Sequence, residues 1–211
     1  MSFIELNEVG KIVKRRPLLH DVSADIPEGS ITVLEGINGS GKTLILKAIL
    51  GLINTSGEVI VNGKKMKVQE PYPIKAGILI ENPSLIEEFT AYKNLDLLAK
   101  LDPVIQEKQI NDLLEYFDLT RFPKQKVKKF SLGMKQKLGI AQAFLGAYPL
   151  IVLDEPTNAL DHESIGKLIR LIDGYNHKGS TFIIASHDHE FVNKVATQKL
   201  YVQEGTINHE K

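Results

Sequence analysis

The sequence predicts an α/β protein in which strands and helices alternate and are interrupted once by an all-helical lobe. Three observations carry this. Short apolar runs bounded by Gly, Pro or Asn alternate with stretches of helical spacing. From about Asn82 to Leu145 the spacing is helical throughout. The apolar run from Ile31 to Leu34 leads through a glycine-rich loop directly into a helical pattern.

In chain order, strands are expected at residues 3–6 and 30–35, the second opening after Gly29. Helical spacing over 42–50 stops at Gly51. Residues 58–61, set between Gly57 and Asn62-Gly63, read as a strand, and so do 77–80, which Asn82 and Pro83 close. Helices follow at 91–100, 105–117 and 132–145, with a loop at 123–126. Strands at 150–153, after Pro149, and 180–185, after Gly179, flank a helix at 162–175, and a short helix covers 190–195. Residues 199–203 and 206–209, split by Glu204 and Gly205, predict a terminal hairpin. Without internal repeats, residues 1–211 read as one domain, with an α/β core over about 1–81 and 146–211 and the helical lobe over about 82–145.

Composition excludes several functions. Basic and acidic residues balance at 26 each, which argues against a dedicated nucleic-acid binder. With no cysteine there is no disulfide framework, thiolate zinc site or cysteine nucleophile. Glu5 and Glu8 stand where a signal peptide needs a basic start, and every apolar run falls far short of the ~20 residues that span a bilayer. If the chain works at a membrane, another chain is expected to hold it there.

The chemistry concentrates in two segments. Gly36, Ile37, Asn38, Gly39, Ser40, Gly41, Lys42 and Thr43 fit G-x-x-x-x-G-K-[ST], with Leu44 continuing into the helix. Glycines let successive N–H groups curl around a polyphosphate, and the helix N-terminus adds the positive end of its dipole. Lys42 then reaches the β- and γ-phosphates, and the Thr43 hydroxyl ligates Mg²⁺. In the second segment an apolar strand ends in Asp154 and Glu155. Asp154 suits a hold on Mg²⁺, and Glu155 suits orienting or deprotonating the attacking water. Alone, either segment has a bland reading, a glycine-rich turn or a strand capped by solvated acids; together they do not.

Beside these, Phe130-Ser131-Leu132-Gly133-Met134-Lys135-Gln136 resembles the signature segment of ATP-binding cassette (ABC) ATPases. Residues 157–161 are similar to the family's D-loop and 185–188 to its switch-histidine segment. The resemblance implies a P-loop core with a mostly parallel sheet, an antiparallel N-terminal β portion and an inserted helical subdomain. It implies that Ser131, Leu132, Gly133 and Met134 meet the ATP held by a second copy or a related cassette, that His187 contacts the γ-phosphate, and that Asp161 organises the dimer interface. Without the resemblance, Asp161 reads as a helix N-cap and His187 as an ordinary histidine. His189, two residues on, has no accompanying ligand cluster and predicts no metal pair. An ABC transporter ATPase is expected as a peripheral subunit at the cytoplasmic face of the membrane, bound to a separate transmembrane permease.

Three departures from the family pattern matter. Glu81 stands where a glutamine is usual, so a carboxylate would face Mg²⁺ and add negative charge, and Asn82 is the alternative one position on. Val13 stands where an aromatic usually stacks on adenine, which predicts weak discrimination between ATP and GTP. Leu132 and Met134 replace a small and an amide residue, a variant that resembles bacitracin- and ABC-2-type exporter ATPases. Two other readings stand beside the transporter. A soluble ABC ATPase, such as the iron–sulfur assembly type, fits the same motifs. A P-loop kinase explains residues 36–43 and Asp154 but not 130–136 or His187.

Overall fold

The computed structural model describes residues 2–68 and 70–208. Two sheets and six helices organise them. Strands β1 (Ser2–Val13), β2 (Arg16–Pro27), β4 (Ser56–Val61) and β5 (Lys64–Lys65) form an antiparallel sheet in the order β2-β1-β4-β5. Strands β3 (Ile31–Glu35), β6 (Ala76–Leu79), β7 (Leu150–Asp154), β8 (Thr181–Ser186), β9 (Gln198–Gln203) and β10 (Thr206–Asn208) form a second, in the order β10-β9-β3-β8-β7-β6. It is parallel except for the terminal β9–β10 pair.

The central strands read as unbroken apolar runs because both faces of the parallel sheet are covered. Leu150 and Val152 point into the core shared with the antiparallel sheet and α1 (Lys42–Ile49), whereas Ile151 and Leu153 point into the core shared with the helices. Helices α5 (His162–Asn176) and α6 (His189–Val195) cover that second face. Between 82 and 145 lie α2 (Ala91–Ala99), α3 (Glu107–Tyr116) and α4 (Leu132–Phe144), two short 3-10 turns and one isolated bridge pair, Thr90 with Lys126. Helix α4 lies so close to β6 that a Cβ on Gly77 would stand 1.8 Å from the Ala143 carbonyl oxygen.

Two corrections concern the N-terminal third. The expected strand at 3–6 extends to Val13, and β2 was not expected at all. Bulges explain both: the β1–β2 register shifts repeatedly, and Glu8 and Asp21 take positive φ, 52° and 45°. These breaks move the apolar phase, although Val22, Ala24 and Ile26 do alternate with Ser23 and Asp25. The expected end of the terminal hairpin, His209, lies outside the described residues. No helix among the described residues is long and apolar enough to cross a membrane.

Candidate functional site

The site forms where the parallel strands β3, β7 and β8 end side by side, at the carboxyl edge of the sheet. From β3 the chain turns through residues 36–41 into α1, and three glycines make the turn possible. Gly39 and Gly41 take φ of 81° and 113°, where a side chain is strained, and a Cβ on Gly36 would meet the Val202 carbonyl at 2.3 Å. The first intrahelical bond runs from the Ile45 N–H to the Gly41 carbonyl, so the N–H groups of Lys42, Thr43 and Leu44 have no intrahelical partner. The Leu44 side chain packs on the N-terminal core, so only its backbone can serve a ligand. Ile37, Asn38 and Gly39 are exposed at the tip, and the buried Ser40 hydroxyl has no hydrogen-bond partner among the described residues.

Lys42 is only 5% exposed yet carries its charge into the loop. Its Nζ donates to the carbonyls of Gly36 (2.6 Å) and Ile37 (3.1 Å) and lies 3.0 Å from Glu155 Oε1. The other Glu155 oxygen pairs with His187 Nδ1 at 2.7 Å. Glu155 itself has φ of 46°, an uncommon conformation that turns its side chain away from the direction of Asp154. Gln136 of α4 holds this kink by donating to the carbonyls of Glu155 and Pro156, both at 3.3 Å.

Asp154 receives the Thr43 hydroxyl (2.9 Å to Oδ2, 3.1 Å to Oδ1) and the Glu81 backbone N–H (3.2 Å). Burial holds its carboxyl above the ordinary carboxylate range, and the neighbouring Glu155 charge adds to this, while Thr43 and the Glu81 N–H oppose it. Because the folded value exceeds the unfolded one, this group favours folding fully below about 3.8 and loses that contribution as pH rises through the folded value. Near neutral pH the ionised carboxylate is therefore the costly form. Asp154→Asn should raise the melting temperature of the nucleotide-free protein at about pH 7, and the difference should shrink towards about pH 4. Thermal unfolding at the two pH values, without nucleotide or divalent cation, checks it.

The remaining expected residues divide. Glu81 reaches the site with its backbone, while its carboxylate pairs with Lys47 at 2.7 Å; Asn82 is exposed beside it. Ser131 caps α4, its hydroxyl accepting from the Met134 N–H at 3.2 Å, and Leu132 beside it is 69% exposed. A Cβ on Gly133 would meet the Ala159 carbonyl at 2.7 Å, so this glycine seats α4 against the loop before α5. Met134 packs on the helical core. Among the described residues, no hydrogen bond or ion pair joins residues 131–134 to residues 36–43 of the same chain. Asp161 caps α5, accepting from the Ser164 N–H at 2.8 Å. Val13 ends β1 at a half-exposed corner beside the Lys14-Arg15 turn.

Sequence reasoning missed Gln136 as the brace behind Glu155, and it missed Gly205. Gly205 donates its N–H to the Ser40 carbonyl (2.8 Å) and accepts from the His20 N–H (2.9 Å), tying the phosphate loop to both sheets. Its glycine identity and the turn at 204–205 were visible; the close approach was not. Among the described residues no cluster of three or more His, Cys, Asp or Glu could hold a metal.

Likeness to known proteins shows the family. A family model described as ABC transporter matches residues 19–158. The lantibiotic transport ATP-binding protein SrtF of Streptococcus pyogenes is 36% identical, the alignment covering 99% of this chain and 90% of SrtF. The bacitracin transport ATP-binding protein BcrA of Bacillus licheniformis is 32% identical over 98% of this chain and 68% of its own length. Among solved structures, a dimer of the bacterial ABC transporter cassette MJ0796 superposes with a TM-score of 0.89 at 26% identity, covering 99% and 97% of the two chains. A second MJ0796 dimer, post-hydrolysis and bound to ADP and phosphate, superposes at 0.86. A phosphate loop facing two strand-end carboxylates, in a chain of this likeness, makes the protein an ATPase: it belongs to the ABC transporter family, as an ATP-binding subunit.

Proposed function

We propose that two copies of this chain, or one copy and a related cassette, close around two ATP molecules and drive a separate transmembrane permease, working as an exporter. The observation that carries this is the division of the site. Lys42, Thr43, Asp154, Glu155 and His187 converge within one chain, whereas Ser131 and Leu132 are turned to solvent and, among the described residues, make no hydrogen bond or ion pair to that cluster. A two-fold dimer brings the signature segment of each chain to the phosphate loop of the other, with Asp161 beside the interface. The α4 N-terminus then offers its dipole to the γ-phosphate in trans.

Within each chain, Lys42 exchanges the Gly36 and Ile37 carbonyls and Glu155 for phosphate oxygens. That exchange frees Glu155 to take a proton from the attacking water, with His187 steadying the carboxylate and reaching the γ-phosphate. The donor set beside it fits Mg²⁺: a hydroxyl and a buried carboxylate, all oxygen, with Asp154 in a place where ionisation is costly without a cation. Thr43 and Asp154 would hold the ion, and Glu81 would join them when Lys47 releases its carboxylate. Bound there, Mg²⁺ neutralises charge on the phosphate oxygens. The Lys47–Glu81 pair also offsets the negative charge that Glu81 adds.

With Val13 in place of an aromatic, GTP should bind nearly as well as ATP. Val13→Tyr should tighten ATP binding by about 1 kcal/mol, roughly fivefold. Titration of both nucleotides against both proteins tests this, and a strong native preference for ATP would overturn it.

The helical segment over about 82–145, around Leu85–Leu95 in particular, passes opening and closing to the permease, which holds this chain at the inner face of the cell membrane. The export direction rests on the Leu132 and Met134 variant and on likeness to SrtF and BcrA, whose names place them in lantibiotic and bacitracin transport. Purification of the tagged chain from native membranes in mild detergent with ATP tests the reading. A co-purifying polytopic membrane protein is expected. Recovery with soluble partners alone would move the function to a cytosolic ABC ATPase.

A further inference from the structure

Strand β3 is buried along its whole length, and its last residue, Glu35, is only 4% exposed. An aliphatic side chain there would be cheap to bury, whereas a carboxylate is costly to bury unless it is paired. One of its oxygens, Oε2, has no hydrogen-bond partner among the described residues. The other pairs with Nδ1 of His189, whose ring is otherwise 81% exposed at the first residue of α6.

The position of this pair in the chain gives it a consequence. Glu35 immediately precedes Gly36, the root of the phosphate loop, and His189 lies two residues beyond His187. The near end of the histidine segment is already held: the Gly36 N–H donates to the Ser186 carbonyl (3.4 Å) and the Glu155 N–H to the Ala185 carbonyl (2.9 Å). At the far end Asp188 donates its N–H to the Ser186 hydroxyl (3.1 Å) and caps α6 by accepting from the Phe191 N–H (3.1 Å), and Glu35 adds a tie to the neighbouring strand through His189. His187 therefore sits between two anchors, both attached to the strand ends that carry the catalytic groups.

We propose that Glu35 is a positioning residue that acts through His189, fixing residues 187 and 188 so that the His187 ring faces Glu155 and the γ-phosphate. Without the Glu35 tie, residues 187 and 188 are held only through Ser186 and the α6 cap, and the His187 ring loses its alignment with the carboxylate. A displacement of about 1 Å at a reacting centre can cost up to 10²-fold in rate, so a partial loss of about tenfold is expected here. The inference rests on the role given to His187 above.

The test is a set of variants of the full chain, each measured for kcat, KM for ATP and melting temperature. In His189→Ala kcat should fall about tenfold with KM nearly unchanged, and the melting temperature should drop because Glu35 is left buried without its partner. Glu35→Leu should slow turnover equally while leaving the protein as stable or more so, because a buried charge is replaced by an apolar group. Glu35→Gln keeps a hydrogen-bond acceptor and should retain most of the activity. The decisive readout is the double variant: in a His187→Ala background, His189→Ala should add no further loss. Unchanged kcat in His189→Ala, or losses that multiply in the double variant, would overturn the proposal. If His187→Ala itself keeps full turnover, the role of His187 fails and this inference with it. If His187→Ala is slow and His189→Ala is not, only the positioning role fails.

Discussion

Glu155→Gln should lower ATP turnover by about 10²-fold or more while ATP still binds and the closed dimer accumulates. The substitution keeps the shape of the side chain and removes its capacity to take a proton. The backbone around it should not move, because Gln136 grips the carbonyls of Glu155 and Pro156 rather than the carboxylate. Binding should even gain slightly. In the nucleotide-free protein the Glu155 carboxylate competes with phosphate for Lys42, at 3.0 Å, and a neutral amide competes less. Phosphate release, nucleotide titration and size-exclusion chromatography with ATP read the three effects separately. Turnover within a fewfold of the native rate would place the base elsewhere, with Glu81 the first candidate.

Lys42→Ala should weaken ATP binding by about 10²-fold or more, since two charge-assisted hydrogen bonds to phosphate are lost at about 1.5–3 kcal/mol apiece. The loss in the free protein is of another kind. The Gly36 and Ile37 carbonyls lose the ammonium they share, and Glu155 loses the cation beside it, so the loop loses its internal brace. Arginine is no substitute at a position 5% exposed, where its planar fork has no room. Equilibrium binding of a fluorescent ATP analogue, with circular dichroism to show that the fold persists, decides the matter. Affinity within threefold of native would mean that backbone N–H groups alone hold the phosphates.

Much of this was legible in the linear order of residues, and the reasons differ by element. The strands at 31–35, 150–154 and 181–186 are buried on both faces, so each announces itself as an unbroken apolar run between turn residues. Helices α2 and α3 show their periodicity because one stripe faces a core and the other water. Strand β2 escaped because its bulges break the alternation that a half-buried strand must keep to be recognised. The phosphate loop was legible because its chemistry is local: glycines, a lysine and a hydroxyl within eight residues.

What the sequence by itself determined is therefore the set of short-range devices, namely the loop, the paired acids at the end of β7, the cap at Asp161, and the family to which their order belongs. The tertiary structure alone decided which partners these groups take. It gave Lys42 to Glu155 across 113 residues of chain, His187 to Glu155, the Glu81 carboxylate to Lys47 and its N–H to Asp154, Gln136 to the Glu155 backbone and Glu35 to His189. The physical reason is that hydrogen bonds and ion pairs depend on separations of about 3 Å in space. In this fold those separations arise only when parallel strands distant in sequence end at one edge of the sheet, and no pattern along the chain encodes which of several acids will stand next to a given cation.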